Sequence, residues 1–126
     1  FVSSKQLCLL LYRLFKKLIN CTYVYSDLED RDKNIMDFKD KKYQFIFATT
    51  VLERGITIKD VFVFVLIFNK QVFDKSSLVQ MLGRVGRNFN NPYGEAYIFS
   101  SVYDKEITLA IDDIKEANRR YELSVL

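Results

Sequence analysis

The stretch SSLVQMLGRVGRN, residues 76–88, sets Gln80, Gly83, Arg84, Gly86 and Arg87 into what otherwise reads as an amphipathic helix. At about 100° per residue, Leu78, Leu82 and Val85 share one side, while Gln80, Arg84 and Arg87 share the other. A glycine inside a helix costs on the order of 1 kcal/mol relative to alanine, so local propensity opposes both glycines. Gly83 flanks the polar side, about 60° from Gln80, and the bare backbone there would let a phosphate come close. Two planar, permanently charged guanidiniums fit the equatorial oxygens of a transferring phosphoryl group better than lysines do. The competing reading of the helix alone is that both arginines pair with surface carboxylates. Gly86, about 120° from Gln80, is assigned to a bend that ends the helix and aims Arg87.

The elements that must position these residues alternate in type. Leu7, Leu10, Leu11, Leu14 and Leu18 recur at helical spacing and predict a helix lying on a sheet. TYVYS is a short strand, and Ser26 with Glu29 forms a capping-box pattern for a second helix running to about Lys41 and buried through Leu28, Ile35 and Phe38. QFIFA is the next strand. VFVFVLIF, residues 61–68, is apolar without alternation, as expected of a central strand covered on both faces. The arginine helix, a strand EAYIFS and a last helix from about Asp104 to Tyr121 complete the chain. Phe45, Phe47, Phe62, Phe64 and Phe68 fall in these strands and read as core; Phe73 and Phe89 lie in loops beside the arginine helix, where adenine stacking is conceivable.

Strands alternating with helices imply a parallel sheet with right-handed crossovers, an α/β layer fold. Ligands of such sheets sit outside the carboxyl ends of the strands. Four places are singled out: Ser3 and Ser4; Ser26 and Asp27; TTVLERGIT at 49–57; and the loop NKQVFDKSS before the arginine helix. Ser26 and Asp27 read first as a helix cap, and Glu53 with Arg54 as a structural ion pair.

Composition narrows the function classes. The chain has 126 residues, 49% apolar and 28% charged, with one proline and four glycines, which is one globular domain and excludes disorder. A net charge of +3 is too small to imply a nucleic-acid partner, although the first twenty residues hold Lys5, Arg13, Lys16 and Lys17 and no acid. Cys8 and Cys21 are isolated in a chain without histidine, which argues against a metal site and a disulfide framework. With no signal peptide and no apolar run near 18 residues, the chain reads as soluble and cytosolic, without membrane insertion. FVSS looks like the end of a strand without its beginning, so a fragment of a longer protein is expected.

Q-x-x-G-R-x-G-R, as Gln80, Gly83, Arg84, Gly86 and Arg87, resembles the last conserved motif of superfamily 2 helicases. ATTVLERGITIKDV looks like the preceding motif, with Thr49, Arg54 and Gly55 at the family's T-x(4)-R-G spacing, and FVSS is similar to a still earlier one. The three occur in the family's order and span residues 1–126 as its second RecA-like domain. That implies an α/β, three-layer RecA-like fold of the P-loop NTPase type, with a mainly parallel central sheet flanked by helices. TTVLERGITIKDVFVFVL, VFDKSSLVQMLGRVGR and PYGEAYIF together resemble the late-competence DNA-uptake ATPase family, ComFA; the replication-restart family PriA is the second choice.

The resemblance implies that Arg87 is an arginine finger and Arg84 its companion on the γ-phosphate of ATP. Such a finger supplies on the order of 10³–10⁵ in rate. Gln80 and Gly83 would complete the ATP-facing edge, and Gly55 would let the motif loop turn back. Ser3, Ser4, Thr49, Thr50 and Arg54 would contact the backbone of single-stranded DNA. Thr57 stands where many RNA helicases of the superfamily have aspartate, which removes a ribose contact. No G-x-x-x-x-G-K-[ST] loop or Walker-type acidic motif is present, so ATP and Mg2+ would be held mainly by an N-terminal RecA-like domain, and the chain alone would be inactive. The partners implied are single-stranded DNA, that domain and competence DNA-uptake proteins, which would supply any location at the cytoplasmic face of the membrane. The competing class is a non-catalytic DNA-binding scaffold with the helicase fold.

Overall fold

The computed structural model describes residues 1–50, 58–68, 73–84 and 94–125. In chain order the elements are α1 (Lys5–Phe15), β1 (Cys21–Val24), α2 (Arg31–Lys39), β2 (Phe45–Ala48), β3 (Val63–Ile67), α3 (Lys75–Leu82), β4 (Ala96–Ser100) and α4 (Lys105–Val125). All strand pairing among the described residues is parallel. Cys21 to Val24 lie opposite Phe45 to Ala48, and Val63 to Ile67 lie opposite Ala96 to Ser100.

Phe1 and Val2 join the two pairs. The Val2 N–H donates to the Ala48 carbonyl at 2.8 Å, the Leu66 N–H donates to the Phe1 carbonyl at 3.0 Å, and the Phe1 nitrogen donates to Phe64 at 2.6 Å. The last two bonds set Phe1 opposite Val65 in a parallel ladder. The spatial order is therefore β1, β2, residues 1–2, β3, β4, and the expected α/β parallel architecture is present.

Helices cover both faces of the β1–β2 pair. Tyr23 meets Tyr12 of α1 with ring centroids 4.5 Å apart, and Phe47 stacks on Phe15 of α1 at 6.1 Å. Val24 and Ala48, which alternation points the other way, pack with Ile35 of α2. The second core forms where β3 turns Val63, Val65 and Ile67 onto Phe73, Leu78, Met81 and Leu82, with Ala110 of α4 beneath. Phe73, for which adenine stacking was conceivable, is core.

Four further expectations are corrected. The buried side of α1 centres on Cys8, with the half-buried Leu11 and Tyr12 beside it and Phe15 at its exposed margin, while Leu10, Leu14 and Leu18 are more exposed still. The packing face is thus rotated roughly 90° from the leucine stripe, because Cys8 fits where its Sγ reaches the Phe47 carbonyl at 3.2 Å. The second helix starts at Arg31 rather than after Ser26, since the chain first turns with Leu28 N–H on the Tyr25 carbonyl. β3 alternates between buried and open positions instead of being covered on both faces, and Phe62, Phe64 and Phe68 are exposed, as is Phe45. Phe64, Tyr97 and Phe99 instead form a stacked cluster on the open face. The arginine helix ends at Leu82, with Gly83 as its C-cap, so the helix does not carry Gly83 in its interior.

Candidate nucleotide and nucleic-acid interface

Two carboxylates build the start of α3. Asp74 accepts the Ser77 N–H at 2.7 Å as N-cap, and Glu106 of α4 accepts the Lys75 N–H at 2.7 Å. Both satisfy amides that the helix leaves open and place negative charge at its positive end. Lys75 also pairs with Asp113 at 2.7 Å, which ties α3 to α4 a second time. Leu78 and Met81 then anchor the helix by complete burial.

The far end of α3 presents the candidate phosphate-binding residues. Gln80 is exposed on the last turn. Gly83 closes the helix with its N–H on the Val79 carbonyl, at φ −71°, a value any residue can take. The Arg84 N–H bonds the Met81 carbonyl at 3.2 Å, and the residue is only 9% exposed. Its side chain lines a cavity of about 840 Å³ with Phe1, Ile58, Val61, Phe62 and Phe64. Gln80 and Arg84 therefore do not share one continuous helical face as expected, because the chain leaves the helix between them. Arg54, Gly55 and Arg87 lie outside the described residues, as do Glu53, Thr57, Gly86 and Phe89.

The candidate backbone contacts stand elsewhere, at the carboxyl ends of neighbouring strands. The Val2 to Ala48 bond sets Val2 opposite Thr49, so Ser3 and Thr50 are the next residues on adjacent chains, at a strand spacing near 4.8 Å. The Thr49 N–H reaches back to the Val24 carbonyl at 3.3 Å, which brings in the end of β1. Ser3, Ser4 and Thr49 are half-buried and Thr50 is exposed. Ser4 is the N-cap of α1, its Oγ accepting the Leu7 N–H at 3.2 Å, and its own O–H remains a donor by chemistry. Arg84 is not part of this row.

A group unforeseen in the sequence completes this edge. Lys5 Nζ lies 2.9 Å from Asp27 Oδ2 and 4.5 Å from the Tyr25 ring centroid. The hydrogen bond to Asp27 holds the Lys5 ammonium above its ordinary pKa, and the same bond holds the Asp27 carboxyl below its own. Asp27 thus serves Lys5 rather than a helix N-terminus. Twenty-two residues separate the pair, so no local periodicity could have announced it.

Among the described residues no three His, Cys, Asp or Glu side chains stand close enough to share a metal ion, and no helix is long and apolar enough to cross a membrane. Residues 1–89 match the helicase conserved C-terminal domain. The chain belongs to this family. The helicase C-terminal domain is 39% identical over 97 residues to competence protein ComFA of Streptococcus pneumoniae, covering 77% of this chain and 22% of that protein. It is 33% identical over 95 residues to competence protein ComFA of Bacillus subtilis, covering 75% and 20%. The chain thus spans about a fifth of the length of these relatives. In fold it is similar to the C-terminal domain of the DEAD-box protein Dbp5, with a TM-score of 0.59 at 24% identity over 93% of this chain and 67% of that one. S. cerevisiae Dbp5 bound to RNA and ADP BeF3 gives 0.57 at 22%, over 90% and 30%. The helicase C-terminal domain therefore has the expected RecA-like fold.

Proposed function

We propose that this domain is the C-terminal half of an ATP-dependent translocase that moves single-stranded DNA, working in DNA uptake as the similarity to the two competence proteins supports. The observation that carries the reading is the junction of Val2 with Ala48. It brings Ser3 and Thr49 from distant parts of the chain to one sheet edge, where a phosphodiester backbone can be gripped without reading bases. Ser4 and Thr50 stand at the same edge, and Arg54 is assigned to the same backbone by its place in the motif. Contacts of this kind predict little sequence preference and an affinity that falls with salt.

Arg84 and Arg87 serve the second half of the mechanism. Arg87 reaches the γ-phosphate of ATP held by an N-terminal RecA-like domain and stabilises charge on the transferring phosphoryl group. Arg84, buried after α3, is its companion on the γ-phosphate, while Gln80, Gly83 and Gly55 complete the ATP-facing edge. Mg2+ is assigned to the N-terminal domain, since the sequence carries no phosphate loop and no Walker-type acidic motif. Closure of the two domains on ATP and reopening after hydrolysis would shift the backbone grip by a step.

The test uses the full-length protein and oligo(dT). Arg87→Ala should abolish DNA-stimulated ATP hydrolysis and leave DNA binding in place, whereas Thr49→Val should weaken binding. Hydrolysis retained by Arg87→Ala overturns the finger assignment.

A further inference from the structure

We propose that Lys5, held across the strand ends by Tyr25 and Asp27, is a phosphate ligand for a single-stranded polynucleotide, and that Asp27 tunes the grip by competing for it. The inference rests on the reading that Ser3, Ser4 and Thr49 line the nucleic-acid path, and it adds a cation beside those hydroxyls.

Three observations converge. Lys5 directly follows Ser4, yet its ammonium reaches Asp27 and Tyr25 beyond the end of β1. It therefore spans the edge on which Ser3 and Thr49 stand. Its side chain is 44% exposed and that of Asp27 is 68% exposed, so a phosphate oxygen can approach the ammonium from solvent. The extended lysine is also positioned in advance: the Tyr25 ring lies under the ammonium, and Tyr23 stacks against Tyr25 at 6.0 Å with Tyr12 behind it. Fixing a lysine before binding removes part of the rotamer entropy otherwise lost at an interface.

Chemistry gives Asp27 its role. A lysine ammonium has three donors, so a phosphate oxygen can join or displace the carboxylate without leaving the cation buried or unsatisfied. The carboxylate also repels the incoming phosphate, which lowers affinity and favours release. Such a contact is worth keeping weak in a protein whose grip must be made and broken in each cycle. Because the Tyr25 ring is already engaged by Lys5 and Tyr23, it holds the cation and does not stack a base. The contact is therefore blind to sequence.

The experiment measures binding of fluorescein-labelled oligo(dT) to the full-length protein across a NaCl series, with oligo(U) as a second arm. Lys5→Gln should weaken binding roughly fivefold and flatten the slope of log affinity against log salt by about one. Asp27→Asn breaks the same ion pair but should tighten binding several-fold. A merely structural pair would move both variants in the same direction, and that outcome overturns the proposal. Unchanged affinity and slope in Lys5→Gln, with thermal unfolding unaltered, also overturns it. Equal changes on oligo(dT) and oligo(U) support a phosphate contact, whereas a change on oligo(U) alone replaces it with recognition of ribose. If Thr49→Val weakens binding while Lys5→Gln does not, only this inference falls. If the wild type binds neither oligonucleotide, the nucleic-acid reading falls with it.

Discussion

The Asp74 carboxylate accepts the Ser77 N–H at 2.7 Å, closing the first turn of the helix that leads to Arg84. A lost cap of this type costs about 1 kcal/mol. Asp74→Ala should lower stability by about that amount in urea titration, and Asp74→Asn should restore most of it. In the full-length protein the same alanine variant should slow the proposed DNA-stimulated hydrolysis, because Arg84 directly follows the C-cap of this helix, while oligo(dT) affinity stays unchanged.

An exposed leucine of α1 and a buried one of α3 predict opposite outcomes on substitution. Leu14 is 60% exposed, whereas Leu78 of α3 is fully buried. Leu78→Ala should cost about 2–5 kcal/mol, and Leu14→Ser should stay within about 0.5 kcal/mol. Urea unfolding midpoints of the two variants check this directly.

Acid sensitivity should pass through Asp37. Lys42 bonds its carboxylate at 2.9 Å and Lys33 at 3.3 Å, and the hydrogen bond from Lys42, followed by that from Lys33, holds its pKa below the ordinary carboxylate value. The folded state therefore gains stability from this ionised group above the unfolded pKa, about 3.9, and loses it as pH falls through the lower folded value. Asp37→Asn should flatten the acid limb of stability against pH and leave the neutral region less stable. A thermal-unfolding series from pH 7 down to about 2 reads both effects.

Cysteine chemistry should report unfolding. Cys8 is completely buried with its Sγ on the Phe47 and Val24 carbonyls, and Cys21 is 6% exposed. Burial pushes both thiols up from their ordinary pKa, so little reactive thiolate is present at neutral pH. Iodoacetamide should leave both unmodified in the native protein and label both in urea, with a midpoint matching the loss of helical circular dichroism.

The sequence disclosed what depends on local pattern. Apolar runs located all four strands, and their alternation with helices implied parallel pairing before any contact was known. What it concealed depends on neighbours. The leucine stripe of α1 is a genuine periodicity, yet the sheet selected the side where Cys8 and Phe15 fit against Phe47. The unbroken apolar run at residues 61–68 implied two covered faces, but the described helices cover only the side of Val63, Val65 and Ile67. The glycines of the arginine motif looked costly only under the assumption of a longer helix; Gly83 ends it instead. For the candidate site, Ser3, Ser4 and Thr49 were legible through their motif order, whereas the Lys5 to Asp27 pair arises solely from how α1 crosses the strand ends.

The bridging position of Phe1 and Val2 also bears on how the chain assembles. Phe1 meets Phe64 across 63 residues of sequence, so the sheet's middle rung cannot close until both flanking pairs have emerged. Each pair can form from its own neighbourhood, and the seam between them is the late, non-local event that slows folding. Amide protection at Val2 and Leu66 would mark the moment when two half-sheets become one.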